Sequence, residues 1–353
     1  MNLKRELLIA PLNWGLGHAT RCIPIINALL KHKITPVIAS DGAALRLLER
    51  EFQDLEFIEL PSYNITYSKN AKNFKLKMIK DSPRVLKAIK KERKLIKSLV
   101  KERSFCGIIS DNRLGVYSNE IPSVFITHQL NVLSGSTTWL SSKLHHNYVK
   151  KFNQCWVPDH IGTPNLSGKL GHSNTFYSKL KYIGPISRFE KNNSPNTYKL
   201  LVLLSGPEPQ RTILEQKILN LLTKYKHDVL VVRGVVEQQV ETEKKGRITI
   251  INYMTSKDLE AAILKSEIIL SRSGYTTIMD LAKLNKKAFF IPTPGQYEQE
   301  YLAKNLDEQG LVPSCSQEEF NLDELDRVKD YSGLKSFDYV INFKKLFSLF
   351  EGK

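Results

Sequence analysis

Between Ile268 and Gln299 the chain sets residue types that bind charged and hydroxylated ligands at the ends of apolar runs. Ile268-Ile269-Leu270 leads into Ser271-Arg272-Ser273-Gly274-Tyr275-Thr276-Thr277, and Ile278, Leu281, Ala282 and Leu284 then keep a helical spacing. Hydroxyls and a guanidinium at a helix start surround backbone N–H groups that lack intrahelical acceptors and lie at the positive end of the helix dipole. Such a start takes an anion, most naturally a phosphate, while a plain structural N-cap uses the same residues. Asp280 lies one turn further on, where a carboxylate is placed to accept both hydroxyls of a ribose. A second strand end, Ala288 to Pro292, opens into Thr293-Pro294-Gly295-Gln296-Tyr297-Glu298-Gln299-Glu300, and the polar groups of Gln296, Glu298, Gln299 and Glu300 suit sugar hydroxyls.

Four earlier strand ends carry similar chemistry. Glu6 to Ala10 runs into Trp14-Gly15-Leu16-Gly17-His18, followed by an apolar helix through Ile23, Ile26 and Leu30. The glycines let backbone approach a ligand closely, but the third glycine of a dinucleotide fingerprint is missing. Cys106 to Ser110 ends in Asp111-Asn112-Arg113, and Ser123 to Thr127 ends in His128-Gln129-Leu130-Asn131. Leu200 to Leu204 opens into Ser205-Gly206-Pro207-Glu208-Pro209-Gln210-Arg211, a second loop able to hold phosphate. Polar residues at strand carboxyl ends are where open α/β sheets bind ligands.

The elements that must position these groups alternate strand and helix, with strands at Thr35–Ala39 and Leu55–Leu60 and a helix over Ala43–Phe52 between them, the pattern of a doubly wound parallel sheet. A polar, breaker-rich run over 189–198 reads as a linker, dividing a first domain (1–188) from a second (199–335). The tail 336–353, with Phe337, Val340, Ile341, Phe343, Leu346, Phe347 and Phe350, reads as an amphipathic helix.

From Lys69 to Arg103 fourteen Lys or Arg stand against Asp81, Glu92 and Glu102, a local net of +11 out of +16 for the 353 residues. Ser82 before Pro83 reads as an N-cap and first helical residue, and Val85, Leu86, Ile89, Ile96, Leu99 and Val100 keep a helical stripe. The expectation is a basic amphipathic helix, either packed on the sheet as a solvated face or meeting anionic lipid. Phe74 is its only ring, so the aromatic interleaving of a nucleic-acid groove is absent. The net charge implies an anionic partner. Four scattered cysteines without ligand spacing read as free thiols. No apolar run reaches the roughly 18 residues of a membrane span, and the amino terminus is too strand-like for a secretory signal, so a cytoplasmic protein is expected, peripheral at most to the inner face of the membrane.

Taken together, the Arg-Ser-Gly turn, the threonines, Asp280 and the Pro-rich loop with its Gln pair resemble the carboxyl-terminal domain of family 28 glycosyltransferases, most nearly the N-acetylglucosaminyltransferases that make lipid II. Gly17 and His18 match the end of that family's glycine-rich loop, from which Trp14 and Leu16 depart. His128, Asn131 and Gly135 match its His-Glu-Gln-Asn strand end, whose middle pair is replaced by Gln129 and Leu130, and Tyr182 to Arg188 is similar to the run that closes its first domain.

The resemblance implies the GT-B architecture: two Rossmann-like α/β domains facing across a cleft, with the terminal helix returning to the first. It also implies transfer of a sugar from a UDP-sugar, with UDP-GlcNAc a candidate, to a lipid-linked or envelope acceptor, with inversion. Such a reaction needs a base for the acceptor hydroxyl and positive charge for the departing diphosphate. His18 is the first candidate base and His128 the second. Gly15, Gly17 and Asn131 would contact substrate on the acceptor side. Arg272, Ser273, Gly274, Thr276 and Thr277, with Ser205, Gly206 and Arg211, would hold the diphosphate, Asp280 the ribose, and Tyr253 and Met254 the uracil, where core packing is the alternative use of that pair. No Asp-x-Asp occurs, so no metal cofactor is expected. Competing readings are a UDP-sugar hydrolase or 2-epimerase of the same fold, with Asp111, Glu208, Glu298 and Glu300 as spare carboxylates, and a non-catalytic nucleotide- or RNA-binding module.

Overall fold

The computed structural model describes residues 5–64, 74–133, 138–173, 178–192, 194–206, 208–237, 239–334 and 339–352, with the side chains of 74–81 and 140 left aside. Gly135, Pro207 and Phe337 therefore lie outside the described residues. The chain forms two compact units, one from Met1–Ile65, Met78–Ile186 and Tyr339–Lys353, the other from Thr66–Lys77 and Ser187–Asp338.

The first unit is built on seven parallel strands, β1 (Glu6–Pro11), β2 (Thr35–Ser40), β3 (Glu56–Glu59), β4 (Phe105–Asp111), β5 (Ser123–Ile126), β6 (Gln154–Val157) and β7 (Leu180–Tyr182), in the order β3-β2-β1-β4-β5-β6-β7. Strand order reverses between β1 and β4. Polar side chains carried past the ends of those two strands therefore meet over one crevice, the place where such sheets take ligands. Leu7, Leu8, Ile9 and Ala10 of β1 and Ile108 and Ile109 of β4 are wholly buried, as expected of parallel strands covered on both faces. Helices α1 (Gly17–Lys31) and α2 (Gly42–Glu51) follow β1 and β2.

Helix α3 (Phe74–Glu102) corrects one expectation, its start, and of the two readings of its stripe takes the packed one. It starts before Ser82 and carries Pro83 inside it. Its apolar stripe is also already used, since Ile96 packs with Leu8, Ala10, Val37 and Ile108, and Ala88 and Ile89 pack with Leu12 and Tyr63. Leu86 alone of the large stripe residues stays exposed. The expected long terminal helix is likewise shorter: α9 covers Phe343–Phe347, followed by a 3₁₀ turn over Ser348–Phe350. Phe350 presses its ring on Gly107 of β4, where an added Cβ would collide with it, and the Phe350 carbonyl accepts from Arg5 at 3.1 Å.

The second unit has the sheet order β10-β11-β9-β8-β12-β13, with β8 (Tyr198–Leu203), β9 (Val229–Val232), β10 (Thr242–Lys245), β11 (Ile248–Ile251), β12 (Ser266–Ser271) and β13 (Lys287–Phe290). Only β10 runs antiparallel. The reversal of strand order falls between β8 and β12, whose ends carry Ser205-Gly206 and Arg272-Ser273-Gly274. Helices α5 (Gln210–Leu222), α7 (Tyr275–Leu284) and α8 (Tyr297–Glu308) leave the ends of β8, β12 and β13. Leu200, Val202, Val231, Leu270 and Phe289 form its core with Leu214, Ile218 and Phe320.

Candidate active site

At the β1/β4 crevice of the first unit the structure brings together four side chains, of which the sequence had offered the histidines as bases and Asp111 as a spare carboxylate, but not Arg21. His18 Nδ1 lies 2.7 Å from Asp111 Oδ1. Arg21, one turn after His18 on α1, holds both oxygens of Asp111 through its Nε and one terminal nitrogen. The other terminal nitrogen lies 3.0 Å from His128 Nδ1. Asp111 and Arg21 are buried, whereas His18 keeps 13% of its side chain exposed and so remains reachable by a ligand.

Asp111 accepts but cannot donate while ionised, so a proton in the 2.7 Å contact sits on His18 Nδ1 and leaves the lone pair on Nε2, while the Arg21 nitrogen 2.8 Å from the same Nδ1 competes for that position. Burial alone would raise the Asp111 carboxyl, but the Arg21 and His18 beside it hold it down at about 2. Burial and then Arg21 lower the His18 imidazole below its ordinary value, with Asp111 opposing them. The ring is thereby kept neutral at neutral pH, the state a proton acceptor needs.

The loop that delivers His18 is tied from behind. Gly15 has φ +74, a left-handed turn that glycine adopts without strain. Asn13 donates to Asp41 at 3.1 Å, Asp41 pairs with the fully buried Arg113, and Arg113 donates to Pro11 O at 2.9 Å and Glu92 at 2.6 Å. Tyr63 completes the network by donating to Glu92 at 2.7 Å. A buried guanidinium is tolerable only when paired this fully. Asn131 is spent on structure: its amide donates to Lys169 O and His172 O at 2.6 and 2.9 Å, fastening a neighbouring loop instead of facing a substrate.

In the second unit the ends of β8, β12 and β13 supply a separate cluster. Helix α7 starts after Gly274, with Thr276 buried and Thr277 half-buried on its first turn. Gly206 has φ +105 and faces Thr293, whose Oγ1 would lie 3.8 Å from a Cβ placed there. Thr293 Oγ1 and Gln296 Oε1 are buried and have no hydrogen-bond partner among the described residues. Thr293 is a site residue that the residue-by-residue sequence reading passed over, because a single Thr in a Pro-rich loop carries no signal until its neighbours across the sheet are known.

Several expected ligands have partners within the protein. Arg272 is 1% exposed and donates to Ile291 O, Pro292 O, Gln210 O and Gln317 Oε1 at 2.7 to 3.1 Å. It fastens two loops through both terminal nitrogens, while its Nε is buried without a partner among the described residues. Ser273 Oγ is spent on Gln299 O at 2.8 Å, Gln299 Oε1 on Thr293 N at 2.8 Å, and Glu300 on Gly295 N at 2.7 Å. Arg211 pairs with Glu208 and Glu215, which cancel its charge. Asp280 is 6% exposed, accepts from Ser187 Oγ at 2.7 Å and lies 3.9 Å from Arg188, and burial raises its carboxyl to about 6 in spite of them. Tyr253 is buried and Met254 half-buried after β11, while Glu298 is half-buried on the first turn of α8.

Residues 210–331, which hold most of this second cluster, match the glycosyltransferase family 28 C-terminal domain. Over these residues the chain is similar to the family 28 glycosyltransferases. A UDP-N-acetylglucosamine--N-acetylmuramyl-(pentapeptide) pyrophosphoryl-undecaprenol N-acetylglucosamine transferase from Buchnera aphidicola subsp. Schizaphis graminum is 26% identical over 243 residues, 67% of this chain and 64% of that relative. The chain thus spans less than two thirds of its length. Among solved structures, the glycotransferase of kitacinnamycin aligns with a TM-score of 0.63 at 12% identity, over 94% of this chain and 91% of that one. UDP-GlcNAc 2-epimerase from Neisseria meningitidis, bound to UDP-GlcNAc, aligns at 0.60 and 12% identity over 97% and 98%. At these identities the structures establish the fold alone, which is GT-B.

Proposed function

We propose that the protein transfers a sugar from a UDP-sugar to an acceptor hydroxyl with inversion, His18 Nε2 taking the acceptor's proton. The observation that carries this is the His18–Asp111 contact of 2.7 Å at the β1/β4 reversal, which supplies a neutral, oriented and partly exposed base. The family 28 domain supports a nucleotide-sugar donor, and the name of the Buchnera relative supports UDP-GlcNAc and a lipid-linked acceptor. In this reading the start of α7, the Gly206 turn and Thr293 Oγ1 hold the diphosphate, Gln296 Oε1 accepts from a hydroxyl of the sugar, and Asp280 accepts from the ribose. No metal is assigned to the leaving group, in keeping with the missing Asp-x-Asp.

The protein would work from the cytoplasmic side of a membrane, held there by charge. Arg84, Lys87, Lys91, Lys94, Lys97 and Lys101 are exposed at helical spacing on α3, while the one acid among them, Glu92, is buried against Arg113. Because the stripe of α3 is packed inward, contact with anionic lipid would rest on Coulomb attraction without insertion, at about 1 kcal/mol per basic residue near the surface. Among the described residues no helix is long and apolar enough to cross a membrane.

Incubation with a panel of UDP-sugars, with and without total membrane lipid, tests the proposal. Lipid-dependent release of UDP with a new glycolipid supports it. Release of UDP without acceptor, or conversion of UDP-GlcNAc to its 2-epimer, would replace it by the hydrolase or epimerase reading.

A further inference from the structure

A departing diphosphate calls for positive charge beside it, yet the two arginines that the sequence offered are engaged. The terminal nitrogens of Arg272 go to carbonyl and amide oxygens, and Arg211 is held by Glu208 and Glu215. A third arginine stands at the same end of the sheet. Arg233 directly follows β9, which lies between β11, whose end carries Tyr253 and Met254, and β8, whose end carries Ser205 and Gly206. Its neighbour Gly234 has φ +68, and a Cβ added there would collide with Leu204 O and lie 3.8 Å from the Ser205 backbone, so Arg233 leaves the chain where it packs against that turn. Glu215 Oε1 lies 2.6 Å from Arg233 Nε but off the direction of its hydrogen, an ionic contact that uses up no N–H. The terminal nitrogens have no hydrogen-bond partner among the described residues, and 41% of the side chain is exposed.

We infer that Arg233 is the cation that meets the diphosphate in the second unit, its terminal nitrogens donating to phosphate oxygens between the base and the Ser205-Gly206 turn. The planar fork of a guanidinium suits two phosphate oxygens at once. Because the group stays in contact with water, its grip is screened and the nucleotide can leave after turnover. Glu215 is also paired with Arg211, so it remains compensated when Arg233 turns to a ligand. This rests on the reading of a nucleotide-sugar donor, and it is independent of which residue acts as base.

Calorimetry of the full-length protein with UDP and, by competition, with uridine tests the inference. Arg233→Gln should weaken UDP by about ten- to a hundredfold, the loss of charge-assisted hydrogen bonds, and leave uridine, which carries no phosphate, unchanged. Arg233→Lys, which keeps the charge without the fork, should fall between Arg233→Gln and the wild type. No loss, or an equal loss for UDP and uridine, overturns the inference and leaves the donor reading in place. A wild-type protein that binds neither UDP nor any other nucleoside diphosphate ends that reading and the inference with it. If the variants do not fold, the wild type still decides. Phenylglyoxal, which modifies accessible guanidinium groups, should label Arg233, and UDP but not uridine should protect it, as read by peptide mapping. An Arg233 that is not labelled, or that UDP leaves as reactive as before, overturns the inference.

Discussion

The two sheets are wound alike, yet the crevices at their strand reversals are finished in opposite ways. In the first unit, charge is concentrated and internally paired: Arg21, Asp111 and the two histidines satisfy one another, with Arg113, Asp41 and Glu92 behind them. In the second, the terminal nitrogens of Arg272 go to carbonyls and amide oxygens and Arg211 goes to carboxylates, and what remains beside the helix start and the glycine turn includes two neutral polar atoms, Thr293 Oγ1 and Gln296 Oε1, and the Nε of Arg272. A proton-transfer centre needs fixed tautomers and a tuned base, which a buried ion network provides. A site that must bind a nucleotide and release it after each turnover is better served by amides and hydroxyls, whose hydrogen bonds contribute about 1 kcal/mol each. On the proposed reading, chemistry belongs to the first crevice and grip to the second.

The largest effect that can break this comparison is on rate. His18→Ala should lower kcat by about 10²- to 10⁴-fold and leave the affinity for UDP unchanged by calorimetry. A matching loss of UDP affinity would mean that the crevices are not divided in this way.

Arg272→Met should act on folding. It leaves several buried carbonyls without a donor, each costing about 1 to 3 kcal/mol, so a drop of several kcal/mol in denaturant unfolding is expected. A stable variant with weakened UDP binding would instead return Arg272 to the diphosphate.

Asp280 sharpens the comparison through pH. Its folded carboxyl titrates at about 6 and its unfolded one near 4. Between those values the folded chain holds a proton that the unfolded chain has released, so this residue lowers stability as pH rises from about 4 to 6, and the full penalty remains above that. Asp280→Asn should therefore gain on the wild type across that window, by on the order of 2 kcal/mol. An unchanged difference between pH 4 and 7 would show that Asp280 ionises as an ordinary carboxylate.

The smallest expected effect is at Thr293. Thr293→Val keeps the shape and removes one hydroxyl, which should weaken UDP-sugar binding by about 0.5 to 1.5 kcal/mol, up to roughly tenfold. Tighter or equal binding would show that its Oγ1 meets no ligand.

What was legible beforehand was local. Gly17-His18, the Ser205-Gly206 turn and the Gly274 helix start could be read because glycine and helix-start chemistry act within a few residues. The pairing of His18 with Asp111, 93 positions away, depends on β1 and β4 being neighbours, which strand alternation does not dictate. Arg272 misled for the same reason: beside Ser-Gly it has the look of a phosphate ligand, and only the carbonyls brought in from Gln210, Ile291 and Pro292 show where its donors go. The stripe of α3 was visible as a helix face, but its partner was a matter of tertiary packing, and that face covers the first sheet. The tail carried enough rings for a long helix, yet Phe347 and Phe350 are drawn onto the first unit at His32, Gly107 and Trp156, and the helix stops after one turn.

The central claim is that His18 is a base held neutral by burial and aligned by Asp111. The pH dependence of kcat/KM tests it most directly, since that profile reports the ionisation of the free enzyme. Because burial and Arg21 lower the imidazole below its ordinary value near 6.5, the rate should be flat through neutrality and fall only on an acid limb below pH 6.5. In Asp111→Asn, which removes the group that raises the imidazole, the limb should move further to acid as the plateau drops. A limb above pH 6.5, or one that stays in place in Asp111→Asn, would contradict the account.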